Sequence, residues 1–106
     1  MNLGLQNKVA LITGGSKGIG LATALRLAKE GAKVAICARD EANLRAAAER
    51  IAEEAGGAGN VMWVVADVSR QEDCERAVQE TAGKFGRLDI LVNNAGTAAG
   101  RPFEDI

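Results

Sequence analysis

The chain has 106 residues, 47% of them hydrophobic and 25% charged, and its formal net charge is −1. That length allows one small hydrophobic core but not two. The nearly neutral charge gives no reason to expect a nucleic-acid or membrane partner, and no apolar run approaches the roughly 18 residues that a membrane span needs. Residues 1–8 lack the pattern of a secretory signal, so we expect a cytoplasmic protein.

The chain lacks two residue types that often carry proton transfer. It contains no His and no Tyr, which removes the commonest general base and a common phenolic acid. Its two cysteines are far apart in sequence: Cys37 lies in a strand-like run and Cys74 on the apolar stripe of a helix. We expect both to be small buried apolar residues rather than disulfide partners or metal ligands, and we predict no metal site.

Short apolar runs alternate along the chain with longer helical patterns. The runs predict four strands, at residues 8–13, 33–38, 61–66 and 88–93. Between them, apolar residues recur at helical spacing in three stretches that begin at Leu21, Leu44 and Cys74. Glycines are predicted to end these three helices at Gly31, Gly56 and Gly86. Two N-terminal caps are also predicted, namely Asp40 for the second helix and a capping box of Ser69 and Glu72 for the third.

This alternation predicts the α/β class, with a doubly wound, Rossmann-like parallel sheet that has helices on both faces. Right-handed crossovers give the strand order 3-2-1-4, in which the winding reverses between strands 1 and 4. A sheet of this order should have further strands beyond the fourth, whose apolar residues would otherwise lie on an uncovered edge. We therefore expect the chain to be the first half of a larger domain, with no second domain in residues 1–106.

A glycine-rich segment, Thr13-Gly14-Gly15-Ser16-Lys17-Gly18-Ile19-Gly20, joins the first strand to the first helix. A side chain at Gly14 would obstruct the turn. One at Gly18 would keep the backbone away from a phosphate, and one at Gly20 would push the helix away from the sheet. The first-turn N–H groups face outward with the helix dipole behind them, which makes an anion site. We predict that a dinucleotide pyrophosphate binds near the Ile19 N–H, with Ser16 donating to a ribose or phosphate oxygen. Taken alone, the segment is also compatible with a flexible loop.

Two further motifs follow later strands. Asp67-Val68 ends the third strand, and Asn93-Asn94-Ala95-Gly96 ends the fourth. Together with residues 13–20 they make the chain resemble the short-chain dehydrogenase/reductase family, in order and spacing, over essentially all 106 residues. Within that family, residues 96–106 are most similar to 3-oxoacyl-carrier-protein reductases and related sugar or alcohol dehydrogenases. The resemblance implies a partial NAD(P)-binding Rossmann domain in residues 1–106.

The resemblance also implies roles for individual residues. The Asp67 carboxylate would accept from the adenine amino group while the Val68 N–H donates to the ring, although a loop cap is an alternative for Asp67. Thr13 would be structural, with its hydroxyl bonded to the backbone near Asn94. The residues implied to line the adenosine ribose and the nicotinamide side are Asn93, Ala95 and Gly96.

Arg39 bears on the choice of cofactor because it directly follows the second strand, about 20 residues beyond the glycine-rich turn. Family members that prefer NAD carry an acid where this chain has Ala38. Arg39 and Lys17 would bring two positive charges to a ribose 2′-phosphate. We therefore predict NADP rather than NAD. Asp40 is an alternative reader of the 2′-OH, and Lys17 could instead be an exposed, solvated lysine.

The family's catalytic Ser, Tyr and Lys, with a supporting Asn, lie beyond the region that aligns here, so we assign no catalytic residue. The resemblance implies hydride transfer between a nicotinamide and a small carbonyl or alcohol substrate. We expect the chain to be the cofactor-binding half of such a reductase, inactive by itself, whose parent protein is a homo-oligomer. The alternative is a stand-alone nucleotide-binding or partner-binding module without catalysis.

Overall fold

The computed structural model describes residues 4–94. The predicted site residues Ala95 and Gly96 lie outside this range. The described part alternates strands and helices as the sequence predicts. Its elements are β1 (Val9–Thr13), α1 (Gly18–Lys29), β2 (Lys33–Ala38), α2 (Glu41–Ala55), a 3-10 turn (Ala58–Asn60), β3 (Val61–Val65), α3 (Gln71–Phe85) and β4 (Ile90–Asn93).

The four strands form one parallel sheet in the order β3-β2-β1-β4, which confirms the predicted topology. Thr13, the last residue of β1, is level with Cys37 of β2 and with Asn93 of β4. The carboxyl ends of these three strands therefore meet at one edge of the sheet. Any ligand bound there lies at the point where the winding reverses.

Each face of the sheet carries its own apolar cluster. On one face, Ile12 and Ile36 pack with buried alanines of α1 and with residues of α2. On the other, Leu11 and Cys37 pack with Cys74 and other residues of α3. Every residue of β1 is buried because helices cover both of its faces, as is typical of a central parallel strand.

The predicted helix ends are correct except for one cap. Asp40 accepts the Asn43 N–H at 3.0 Å, and Gly56 and Gly86 end α2 and α3 with left-handed backbone, at φ 80° and 84°. The capping box predicted at Ser69 is wrong, because the Ser69 hydroxyl donates to a nearby carboxylate and α3 begins only at Gln71.

β4 is shorter than the predicted run because Asp89 replaces strand pairing with its side chain. The Asp89 N–H donates to the Val9 carbonyl at 2.9 Å, and its Oδ2 accepts the Val9 N–H, also at 2.9 Å. Arg87 holds the other carboxylate oxygen at 2.8 Å. One residue thereby fixes where β1 and β4 begin to pair.

β4 is the outer strand of the described sheet. All four of its residues are half-buried, and within residues 4–94 it pairs only with β1. Ile90 and Val92 lie against the cluster under α1 and α2, whereas Leu91 lies against the cluster under α3. The part of the chain that the structure describes contains no helix long and apolar enough to cross a membrane.

Candidate functional site

A cleft of about 300 Å³ opens at the carboxyl ends of β1, β2 and β3. Four of the predicted site residues line it, and three further residues complete it. The predicted ones are Gly14, Arg39, Asp67 and Val68, and the additional ones are Ala38, Ala66 and Ser69. The small side chains of the two alanines leave the cleft open beside one basic and one acidic residue.

The glycine-rich segment makes a tight turn that only glycine fits at three points. Gly14 and Gly18 have φ of 67° and 54°, in the left-handed region that side chains disfavour. At Gly20, a Cβ would run into the Gly14 carbonyl and lie 2.9 Å from Asn94 Nδ2. Gly20 is therefore required because the Gly14 carbonyl of the turn lies over it, and not for the predicted reason of helix packing on the sheet.

Gly15 has a structural requirement that sequence reasoning missed. A Cβ at this position would come within 2.7 Å of Ile36 Cβ on β2. The backbone of the turn therefore lies directly against the Ile36 side chain of β2. The paired glycines of the motif were the available signal, and both contact β2, since the Gly14 N–H also donates to the Cys37 carbonyl at 2.9 Å.

The amino end of α1 offers three donors that the protein itself does not use. The first helical N–H with a described acceptor is that of Leu21, which donates to the Lys17 carbonyl at 3.1 Å. Within residues 4–94, no acceptor meets the N–H groups of Gly18, Ile19 or Gly20. No side chain caps this end and no acid lies in the first turn, so the site favours an anion.

Ile19 exposes an apolar surface beside these donors. Its side chain is 75% exposed, the most of any large hydrophobic residue in the described part of the chain. A bound ligand that covers the Ile19 side chain would remove this apolar surface from water. The exposed Ile19 therefore extends the candidate site beyond the cleft at the strand ends.

Asp67 uses one carboxylate oxygen inside its loop and leaves the other available. Oδ1 accepts the Ser69 hydroxyl at 2.6 Å and the Ser69 N–H at 3.0 Å. Among the described residues, neither Oδ2 nor the adjacent Val68 N–H has a hydrogen-bond partner. An acceptor and a donor thus stand side by side in the cleft. The loop-cap role and a ligand-binding role of Asp67 are compatible, because they use different oxygens.

The charge of Asp67 is maintained by its neighbours. The hydrogen bonds from the Ser69 hydroxyl and N–H lower the pKa of the Asp67 carboxyl, and the positive charges of Arg39 and Arg70 lower it further. Asp67 is therefore an acceptor across the neutral and mildly acidic range. Ser69 was missed as a site residue, although an Asp followed two positions later by Ser is a known turn signal.

The basic residues predicted for the site lie in different places. Arg39 lines the cleft and is exposed, so its guanidinium is open to a ligand. Lys17 is exposed at the start of α1 and is not part of the cleft lining, and Ser16 is half-buried in the turn. Asp40 Oδ1 accepts the Asn43 N–H and thereby caps α2, while the role of Asp40 as a reader of the 2′-OH stays an alternative.

β1 and β4 are tied together next to the glycine-rich turn. The Asn94 N–H donates to Thr13 Oγ1 at 2.8 Å, which confirms the structural role implied for Thr13. The Thr13 hydroxyl lies 3.2 Å from Asn93 Oδ1, so the Asn93 side chain serves this junction. Asn94 was not among the predicted site residues, yet its Nδ2 lies against Gly20 and so links β4 to the turn.

The two cysteines are free thiols buried under α3. Burial is the main cause that raises the pKa of Cys37 to about 12, and the neighbouring Cys74 raises it further. Burial likewise raises the pKa of Cys74. A raised pKa favours the neutral thiol over the thiolate, which agrees with the expected structural role of both residues.

Comparison with known proteins identifies the family. The sequence profile of the short chain dehydrogenase family matches residues 8–106, and the chain therefore belongs to this family. Among curated relatives, 11-beta-hydroxysteroid dehydrogenase 1A of Arabidopsis thaliana is 50% identical over 102 residues, which are 96% of this chain and 29% of that protein. The chain spans between 28% and 34% of the length of the curated relatives it matches. A specific similarity to 3-oxoacyl-carrier-protein reductases stays a prediction.

Solved structures of similar proteins contain either nicotinamide cofactor. L-sorbose reductase from Gluconobacter frateurii, solved with NADPH and L-sorbose, is 42% identical and superposes with a TM-score of 0.84 over 100% of this chain and 40% of that one. An NAD+-bound xylitol dehydrogenase is 38% identical, with a TM-score of 0.81 over 88% of this chain and 35% of that one. These similarities support the fold and a nicotinamide cofactor without deciding between NADP and NAD.

Proposed function

We propose that this chain is the cofactor-binding part of an oxidoreductase that transfers hydride between a nicotinamide and a small carbonyl or alcohol substrate. The observation that carries the proposal is the set of unused polar groups at the strand ends. Three N–H groups of α1, the Val68 N–H and Asp67 Oδ2 all lack partners within residues 4–94. Membership of the short-chain dehydrogenase family supports the same function.

These groups fit the parts of an adenine dinucleotide. The Val68 N–H and Asp67 Oδ2 form an adjacent donor and acceptor, which complements the ring nitrogen and amino group of adenine. The N–H groups of Gly18, Ile19 and Gly20 suit the pyrophosphate, and the exposed side chain of Ile19 suits an apolar part of the cofactor. When bound, the nicotinamide would donate hydride to a carbonyl or accept it from an alcohol, and these residues would hold and orient the cofactor. Ser16, Asn93, Ala95 and Gly96 stay predictions as cofactor contacts.

We further infer that the cofactor is NADP rather than NAD. Arg39 is exposed on the cleft at the end of β2, where a guanidinium can bind a 2′-phosphate with two parallel hydrogen bonds. The preceding residue is Ala38, which offers no carboxylate to a 2′-OH, and the Asp40 carboxylate caps α2. Lys17 is proposed to add a second positive charge, which reaches the phosphate from outside the cleft.

The remaining parts of the proposal concern the whole protein. The relatives named above include steroid and sugar enzymes, which supports a carbonyl or alcohol substrate without specifying one. The 106 residues include no Tyr, so we propose that the proton donor lies outside them and that they are inactive alone. Free buried thiols fit a reducing compartment, which supports a cytoplasmic location. A homo-oligomer stays a prediction from the family.

Cofactor binding is the first property to test. The complete protein from its natural gene is titrated with NADPH, following nicotinamide fluorescence, and bound NADPH is then displaced with adenosine 2′,5′-bisphosphate or with AMP. We expect saturable binding, with the bisphosphate a better competitor than AMP because only the bisphosphate carries the 2′-phosphate. Absence of binding at millimolar NADPH would remove the proposal, and equal competition by the two adenosine phosphates would remove only the preference for NADP.

A further inference from the structure

The segment that carries Asp67 and Val68 is held from behind by α3. Where β3 ends, the Val65 carbonyl accepts Arg76 Nη2 at 2.8 Å. The Asp67 N–H donates to Asp73 Oδ2 at 2.7 Å, and the Val68 carbonyl accepts the Cys74 thiol at 3.3 Å. Three residues from the first two turns of α3 therefore hold three successive parts of the segment, while its unused donor and acceptor line the cleft.

Asp73 makes the contact with the most direct effect on Asp67. It accepts the N–H of the residue whose own carboxylate lines the cleft, and its side chain is only 23% exposed. Arg76 Nη2 lies 3.6 Å from Asp73 Oδ1. That guanidinium offsets the charge of a second carboxylate placed close behind Asp67. The Asp73–Arg76 pair thus fixes the backbone of Asp67 without lining the cleft itself.

We propose that Asp73, supported by Arg76, is a positioning residue that sets the preference of the cleft for adenine. The inference rests on the proposed function. It adds that the hydrogen-bonding pair of Asp67 and Val68 discriminates between bases only while α3 holds its backbone in place. Without Asp73, the half-buried Asp67 N–H loses its partner, and the loop gains alternatives in which Asp67 Oδ2 and the Val68 N–H no longer lie side by side.

Dinucleotides with two different bases isolate this effect. Hypoxanthine has a carbonyl in place of the adenine amino group and a proton on the adjacent ring nitrogen. It therefore presents an acceptor to Asp67 and a donor to the Val68 N–H, the reverse of what each group requires. The ratio of the two affinities reports the alignment of the pair. Because both ligands titrate the same folded molecules, a partly unfolded variant leaves the ratio unchanged.

The experiment compares the affinities of the complete protein for NADPH and for its hypoxanthine analogue. We expect wild type to prefer adenine by about 10-fold or more, because each mismatched polar group loses a hydrogen bond. Asp73→Ala should reduce the preference to about threefold or less. Asp73→Asn, whose amide oxygen can still accept the Asp67 N–H, should largely restore it. The matched control is Glu75→Ala, which removes an acid of α3 that accepts from Gln71 and does not line the cleft.

A second variant keeps the test decisive if Asp73→Ala does not fold. Arg76→Met removes the partner of the Val65 carbonyl and of Asp73 while leaving the Asp67–Asp73 hydrogen bond in place, and it should reduce the preference by about threefold. Wild type that binds neither dinucleotide would overturn the proposed function and this inference with it. Wild type that prefers adenine, together with Asp73 and Arg76 variants that keep the full preference, would overturn this inference alone.

Discussion

Asp67 illustrates how far a single residue can be interpreted before its surroundings are known. The family resemblance implied a site role for Asp67, and the structure places the residue in the cleft. The loop-cap alternative anticipated that the loop uses the Asp67 carboxylate, but the sequence did not indicate that Ser69 holds only Oδ1 and that Oδ2 has no hydrogen-bond partner among residues 4–94. This division between the two oxygens depends on the turn that the loop makes. The contact with Asp73 likewise forms only because α3 folds back behind the loop.

Arg39 should control which cofactor the protein prefers. Arg39→Asp removes the guanidinium that suits a dianionic phosphate and adds repulsion, so NADPH binding should weaken by about 2–4 kcal/mol relative to NADH. The change should appear mainly in the cofactor KM, because the 2′-phosphate is remote from the hydride. Lys17→Ala should act in the same direction but more weakly. Steady-state kinetics with both cofactors measure the shift.

A matched control for Arg39→Asp is Arg45→Asp, which makes the same charge change on α2. Arg45 is exposed and lines a different cavity, of about 240 Å³, beside Trp63. Its substitution should leave the ratio of kcat/KM for the two cofactors unchanged. If Arg39→Asp also leaves that ratio unchanged, Arg39 does not read the 2′-phosphate and Asp40 becomes the stronger candidate.

Gly20 should tolerate no side chain. In Gly20→Ala the new methyl group collides with the Gly14 carbonyl, so the turn must open and the α1 donors shift. We expect NADPH affinity to fall by about 10-fold or more, in line with overpacking costs of about 1–3 kcal/mol. Gly83→Ala makes the same substitution inside α3, where nothing lies within 4 Å, and should stabilise the fold by about 0.5–1 kcal/mol. Calorimetric titration and urea unfolding separate the two effects, and unchanged affinity in Gly20→Ala would contradict the close approach.

At the scale of elements, the strands and helices were predictable because their signals are local. Apolar runs, helical spacing and the glycines at helix ends all depend on neighbouring residues, and they gave the correct order of elements. The errors came where a side chain makes a specific hydrogen bond that the apolar pattern does not indicate. Asp89 shortens β4 by taking over the pairing with Val9, and the Ser69 hydroxyl turns to Asp67 instead of capping α3.

Asp89 should make the stability of the β1–β4 pair depend on pH. The hydrogen bond from Arg87 is the main cause that lowers the pKa of the Asp89 carboxyl, and the Val9 N–H adds to it. A lowered pKa means that the ionised carboxylate stabilises the folded state. This contribution is complete above the ordinary value of 3.8 and is lost as the pH falls through the lower folded-state pKa.

Asp89→Asn should therefore reduce the free energy of unfolding at neutral pH and make it less steeply dependent on pH below about 4. Urea unfolding of the two proteins across the acid range measures this difference. The control is Glu75→Gln, which also neutralises an acid. Among the described residues, the Glu75 carboxylate accepts a hydrogen bond from Gln71 in the preceding turn of α3. Unfolding curves of wild type and Asp89→Asn that stay parallel throughout the acid range would exclude this role of Asp89.

At the scale of the whole molecule, the alternation of elements predicted the class, the strand order and the edge of the sheet at which the candidate site lies. The predicted exposure of the fourth strand agrees with the half-buried β4 and with its single partner among residues 4–94. The identity of the substrate could not be predicted. The residues that line the cleft carry our proposal for the cofactor, and we assign no catalytic residue to this chain.

A polypeptide of these 106 residues should associate in solution and should not reduce carbonyl compounds. Association is expected because, among residues 4–94, no strand pairs with the second edge of β4, whose apolar side chains are half-buried. Inactivity is expected because the sequence has no Tyr to donate the proton. Sedimentation velocity and an NADPH oxidation assay test both points. A monodisperse monomer with a cooperative melt would contradict the first, and turnover free of contaminating reductase the second.

The crystal structure of the complete protein with NADPH bound tests the central claim most directly. The account predicts the adenine amino group and ring nitrogen within hydrogen-bond distance of Asp67 Oδ2 and the Val68 N–H, and the 2′-phosphate against Arg39. It also predicts the pyrophosphate over the N–H groups of Gly18 and Ile19. A dinucleotide bound in the cavity beside α2 and β3, or one whose adenosine leaves Asp67 and Arg39 without contacts, would contradict it.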